Sequence, residues 1–131
     1  DLSLPAPEPA EVAAAASGPE PLKAFALPPL ATTIGAVITD ARLDKAWCAR
    51  LAGSGQDGLA RAIRPAHTMF DGDTVFGLSV AERPVESPEV FTELLIAAAD
   101  TFAHAIVNGV LAAESIRGFR AYRDLFPSVR R

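Results

Sequence analysis

The pattern of apolar and polar positions changes abruptly near residue 30. Up to residue 31 the chain is broken by Pro5, Pro7, Pro9, Pro19, Pro21, Pro28 and Pro29, and an "EVAAAASG" stretch supplies much of its apolar content. Such a composition has little that fills a core and predicts a mostly extended, mobile segment, with a short helical piece over 10–16. After Ala31 the pattern is that of a folded domain. Residues 32–39, "TTIGAVIT", are dense in β-branched and small side chains and predict a strand buried on both faces.

Residues 40–44 read as a turn, with Asp44 as helix N-cap and Leu43 ahead of it as a staple. Over 45–63, Ala46, Trp47, Leu51, Leu59 and Ile63 fall at helical spacing, while Gly53, Gly55 and Gly58 predict a weakened helix that breaks or bends. Residues 64–73, "RPAHTMFDGD", form a loop with a turn at Asp71-Gly72-Asp73. A second strand is expected over 74–81. Ser87 then caps, and Pro88 opens, a long helix to about residue 113, whose apolar face holds Val90, Leu94, Leu95, Ala98, Phe102, Ile106, Val110 and Leu111. A short basic helix or turn, "RGFRAYRDLF", closes the chain. Two strands and two long helices do not complete a layered α/β structure, so the domain of 32–131 is expected to take further strands from another chain or a missing N-terminal part.

Composition narrows the function classes. The chain has 131 residues, 50% of them hydrophobic, and a net charge of -4, which is one domain's worth of ordinary globular sequence. Scattered Lys and Arg leave no footprint for nucleic acid or an anionic membrane, and no apolar run reaches the roughly 18 residues of a membrane span. Cys48 is the single cysteine, so there is no internal disulfide, and no Cys/His cluster has metal-ligand spacing. The lone cysteine points to a reducing cytoplasm, and the acidic, Pro-rich start is unlike a signal peptide, although a chain opening at Asp1 without Met leaves room for a lost upstream segment.

Two places carry candidate chemistry. Thr32 stands where the Pro-rich segment meets the strand. A threonine hydroxyl needs a base, and its own α-amine, freed by chain cleavage, is one compact solution; a plain strand-start threonine is the other reading. In "HTMFDGDTVF", Asp71 and Asp73 flank a glycine. They either stabilise a tight turn as solvated acids or hold a cation or an amine by charge-assisted hydrogen bonds.

Residues 32–80, with the "TTI" strand start, "RAIRPAHT" and "FDGDTVF" in order, resemble the C-terminal (β) part of the L-aminopeptidase/D-esterase family of self-cleaving proenzymes, which includes the nylon-oligomer hydrolases. The resemblance implies an α/β/β/α layered sandwich, of the type shared with ornithine acetyltransferase, and the logic of N-terminal nucleophile hydrolases. It implies cleavage of the Ala31-Thr32 bond, with Thr32 as nucleophile, its freed amine as general base, and Asp71 and Asp73 as acidic neighbours that orient it or hold a substrate amine. It also implies a partner, the α-part of the same precursor, which carries the oxyanion donors and completes 32–131. Family members usually have Asn where this sequence has Ala31, and the sequence as written runs on through Ala31-Thr32.

The remaining candidates have open alternatives. His67 is either a loop-packing histidine or a group that polarises the site, and Thr33 either a strand residue or a hydrogen-bonding neighbour of the nucleophile; both are possible substrate-lining residues. Cys48 reads as a small buried residue, and Arg117, Arg120, Arg123, Arg130 and Arg131 as a solvated face or a contact to an acidic surface. The expected function is a self-processing amide hydrolase acting on small peptides or ω-amino-acid amides, without cofactor or metal, as a homo-oligomer of α/β units. An acyltransferase of similar architecture and an unprocessed, non-catalytic subunit are the alternatives.

Overall fold

The computed structural model describes residues 6–17, 32–116 and 119–130. The elements run α1 (Pro9–Ala16), β1 (Ile34–Ala41), α2 (Lys45–Ala62), β2 (Thr74–Arg83), α3 (Pro88–Ala112) and α4 (Tyr122–Leu125), with a 3-10 turn over Pro127–Arg130. The chain divides into two compact units, residues 30–105 and residues 1–29 with 106–131. Ala31 and most of the Pro-rich segment lie outside the described residues.

The first unit is a β-α-β arrangement in which β1 and β2 pair in parallel, from Ile34 opposite Thr74 to Thr39 opposite Ser79. Helix α2 makes the crossover a parallel pair requires, so the chain is of the α/β class that its sequence predicts. The register shifts between Thr39 and Ala41, where Ala81 takes φ 60°. Ser79 Oγ secures this bulge: it donates to the Ala41 carbonyl at 2.6 Å and accepts from Leu43 N–H and Ala81 N–H, each at 3.1 Å.

Helix α2 begins where expected, with Asp44 Oδ1 accepting from Trp47 N–H at 2.8 Å. It does not break at its glycines but runs unbroken to Ala62. The reason is packing: a Cβ on Gly58 would stand 2.3 Å from the Ala99 carbonyl oxygen, so the glycine lets the α2 and α3 backbones meet. Leu51 and Leu59 are fully buried beside it. The helix entries are joined by stacked Trp47 and Phe91 rings, 4.2 Å between centroids.

Helix α3 starts as predicted, with Ser87 Oγ accepting from Val90 N–H and Pro88 in the first position. Its buried seam is narrower than the sequence implies and consists of Ala98, Ala99, Phe102 and Ala103, whereas Val90 and Val110 stay exposed. By length and composition alone α3 is long and apolar enough to cross a bilayer, contrary to the expectation that no apolar run in the sequence reaches that length. Only 22% of that apolar stretch is buried, and the Phe102 ring of the buried seam lies against Gly35 of β1.

The expectation of a strand buried on both faces is not met. Gly35, Val37 and Thr39 turn toward the helices, but Ile34 is 72% and Ile38 67% exposed. Phe76, Leu78 and Val80 of β2 are exposed as well. One side of the sheet is covered by helices and the other presents a continuous apolar surface.

In the second unit, α1 is held to the 3-10 turn: Ser128 N–H donates to Glu11 Oε1 at 3.1 Å, and Glu8 N–H to Ser128 Oγ at 3.2 Å. The arginines of the closing segment are partly engaged there, with Arg120 donating to the Asp124 carbonyl; Arg117 and Arg131 lie outside the described residues.

Candidate active site

The parallel pairing brings the strand starts together. Thr33 immediately precedes β1, and its carbonyl accepts from Thr74 N–H, the first residue of β2, at 2.9 Å. With the strand pairing, this bond carries Thr32 and Thr33 to the "DGD" turn, about forty residues away in sequence. Thr32 is exposed. A Cβ built on Gly72 would lie 2.8 Å from Thr32 Oγ1, so the missing side chain at 72 is what leaves room for that hydroxyl.

Asp73 is the best-held group of the cluster, its side chain only 7% exposed. Oδ1 accepts from Thr33 N–H at 2.9 Å, and Oδ2 lies 3.0 Å from His67 Nδ1 and accepts from His67 N–H at 3.4 Å. The Thr33 N–H is the chief cause holding the Asp73 carboxyl below its ordinary value; burial opposes it, and the backbone N–H, ring and charge of His67 reinforce it. Asp73 therefore stands as a carboxylate at neutral pH.

Asp71 is used differently. Its Oδ2 accepts from Thr68 N–H at 2.6 Å while its own N–H donates to the Thr68 carbonyl at 3.1 Å. It closes the loop from which His67 reaches Asp73. Thr32, Thr33, His67 and Asp73 are thus gathered at one strand edge with Asp71 beside them. Cys48 is half-buried in α2 and has no part in the cluster's hydrogen bonding.

Two residues of this site escape a reading of the sequence alone. Gly72 passes for an ordinary turn glycine, and only its distance to Thr32 shows otherwise. Gln56 sits mid-helix without any motif, yet its Nε2 donates to the Asp73 backbone carbonyl at 3.5 Å, and its own backbone carbonyl is 3.4 Å from His67 Nε2. Its Oε1 is buried without a donor among the described residues. Also among the described residues, no group of three or more His, Cys, Asp or Glu is placed to hold a metal ion.

Comparison with known proteins gives the family of the chain. A protein of Mycobacterium leprae (strain TN) named as an uncharacterized aminopeptidase is 46% identical over 138 residues, covering 97% of this chain and 37% of its own length. Uncharacterized aminopeptidases of Mycobacterium bovis and Mycobacterium tuberculosis are each 44% identical over 138 residues, covering 97% of this chain and 40% of theirs. The chain thus spans about two fifths of the length of these curated relatives. The model of peptidase family S58 matches residues 7–123, from ahead of α1 into α4, and the chain belongs to that family.

Proposed function

We propose that this chain is the nucleophile-bearing part of a self-processing amide hydrolase, an aminopeptidase or amidase. Its substrates are N-terminal residues of small peptides or related ω-amino-acid amides such as nylon-type oligomers. The observation that carries the reading is the seating of the Thr32-Thr33 junction: Asp73 fixes the Thr33 amide and Gly72 leaves room at the Thr32 hydroxyl. Membership of a peptidase family and the aminopeptidase names of the relatives support the reaction class.

The chemistry follows from an N-terminal threonine. Cleavage of Ala31-Thr32 frees the Thr32 α-amine, which takes the proton from Oγ1 as the oxygen attacks the substrate carbonyl. The amine returns that proton to the leaving nitrogen as the C–N bond breaks, leaving an acyl ester on Thr32. Water, deprotonated by the same amine, then attacks the ester, and Oγ1 leaves with the proton. Asp73 holds the peptide that aims the nucleophile, and Asp71, on the far side of Gly72, is the second carboxylate for an ammonium group. The outer apolar sheet face, with Ile34, Ile38 and Phe76, takes the α-part of the same precursor as the facing layer of an α/β/β/α sandwich. The α/β units assemble as a cytoplasmic homo-oligomer.

The reading is tested in the full-length protein with an amino-acid p-nitroanilide and a short ω-amino-acid oligomer. Thr32→Ala should lower turnover by about 10⁶-fold, the scale seen when a nucleophile is removed, while Thr32→Ser keeps measurable activity. Undiminished turnover by Thr32→Ala would end the proposal.

A further inference from the structure

His67 supplies none of the reacting atoms in this scheme, yet its polar groups converge on Asp73. Its backbone N–H and ring Nδ1 address the same oxygen, Oδ2, at 3.4 and 3.0 Å. Both reach it because His67 adopts φ 57°, in the left-handed region that is costly for residues other than glycine and is held only where the surroundings impose it. The ring's other nitrogen lies 3.4 Å from the Gln56 backbone carbonyl, which sets the ring beside α2. A carboxylate accepts only, so the ring donates through Nδ1–H.

We propose that His67 is the positioning residue of this site. It fixes Asp73 Oδ2, so that Oδ1 is committed to the Thr33 N–H, and through the Thr32-Thr33 peptide it sets where the Thr32 hydroxyl and amine stand. The assignment rests on the reading of Thr32 as nucleophile and gives His67 a task different from lining the substrate. A substrate-lining group would change KM. A group that aims the nucleophile changes kcat, because displacement of a reacting atom by about 1 Å costs about 100-fold in rate.

The test uses three variants of the full-length, processed enzyme. His67→Gly keeps the left-handed backbone without strain and removes the ring. His67→Asn tolerates the same backbone and places its carboxamide nitrogen where Nδ1 stood; His67→Gln reaches instead toward the Nε2 position. His67→Gly and His67→Gln should each lose about 100-fold in kcat at little-changed KM, and His67→Asn should recover most of that loss. If His67→Gly does not fold, the Asn and Gln pair carries the same contrast.

Wild-type kcat in His67→Gln or His67→Gly, a loss confined to KM, or an Asn variant as impaired as the Gln variant would overturn the assignment while Thr32→Ala remains inert. A Thr32→Ala protein that stays active would instead overturn the nucleophile reading on which it rests.

Discussion

At the residue scale, the site depends on a side chain that is missing and a carboxylate that is held. A Cβ at position 72 would approach Thr32 Oγ1 to 2.8 Å, closer than ordinary van der Waals contact, so Gly72→Ala must displace the hydroxyl. Turnover should fall by about 100-fold with little change in the melting temperature, since the loop is exposed; unchanged kcat would contradict this. Asp73 gives a pH signature. Its folded-state value lies below the ordinary 3.8, with the Thr33 N–H as first cause. The native state therefore binds this proton more weakly than the unfolded chain does. The stabilisation is complete above 3.8 and disappears as pH falls through the lowered value. Acid unfolding of wild type and Asp73→Asn should accordingly differ by a constant amount near neutrality, with the difference starting to shrink near 3.8 and vanishing only below the lowered value.

At the scale of the elements, local signals were legible and long-range ones were not. Asp44 and the Ser87-Pro88 pair mark helix starts because capping is decided within three residues, and both starts are where the sequence places them. Gly58 misleads because its propensity cost is visible in sequence and its neighbour is not: it faces the Ala99 carbonyl, forty-one positions on. Replacing it tests which effect wins. Gly58→Ala gains up to about 1 kcal/mol of helix propensity but drives a Cβ to 2.3 Å from a backbone oxygen, and overpacking costs about 1–3 kcal/mol or more. Denaturant unfolding should show net destabilisation, and a more stable variant would mean that α2 and α3 do not meet there. The same blindness to distance hid Gln56, which meets Asp73 only after the chain has crossed from α2 to β2.

At the scale of the whole molecule, the α/β class was readable from two strand patterns alternating with two helices. What the pattern misjudged was burial. Ile34 and Ile38 look like core residues by type but stand 72% and 67% exposed in this chain, with Phe76 at 56% beside them. A contiguous apolar face of this kind marks an interaction surface. On the proposed architecture it is covered by the α-part of the precursor, so Ile38→Asp in the full-length protein should separate the two parts on size exclusion, whereas retained co-elution would put the contact elsewhere.

Whether Thr32 becomes an N-terminal residue is read by intact mass and N-terminal sequencing of the purified full-length gene product. Every active preparation should contain a fragment beginning Thr32-Thr33-Ile34, absent in Thr32→Ala. An active enzyme with an unbroken chain across Ala31-Thr32 would contradict this, because Thr32 would then lack the amine that is to serve as its base.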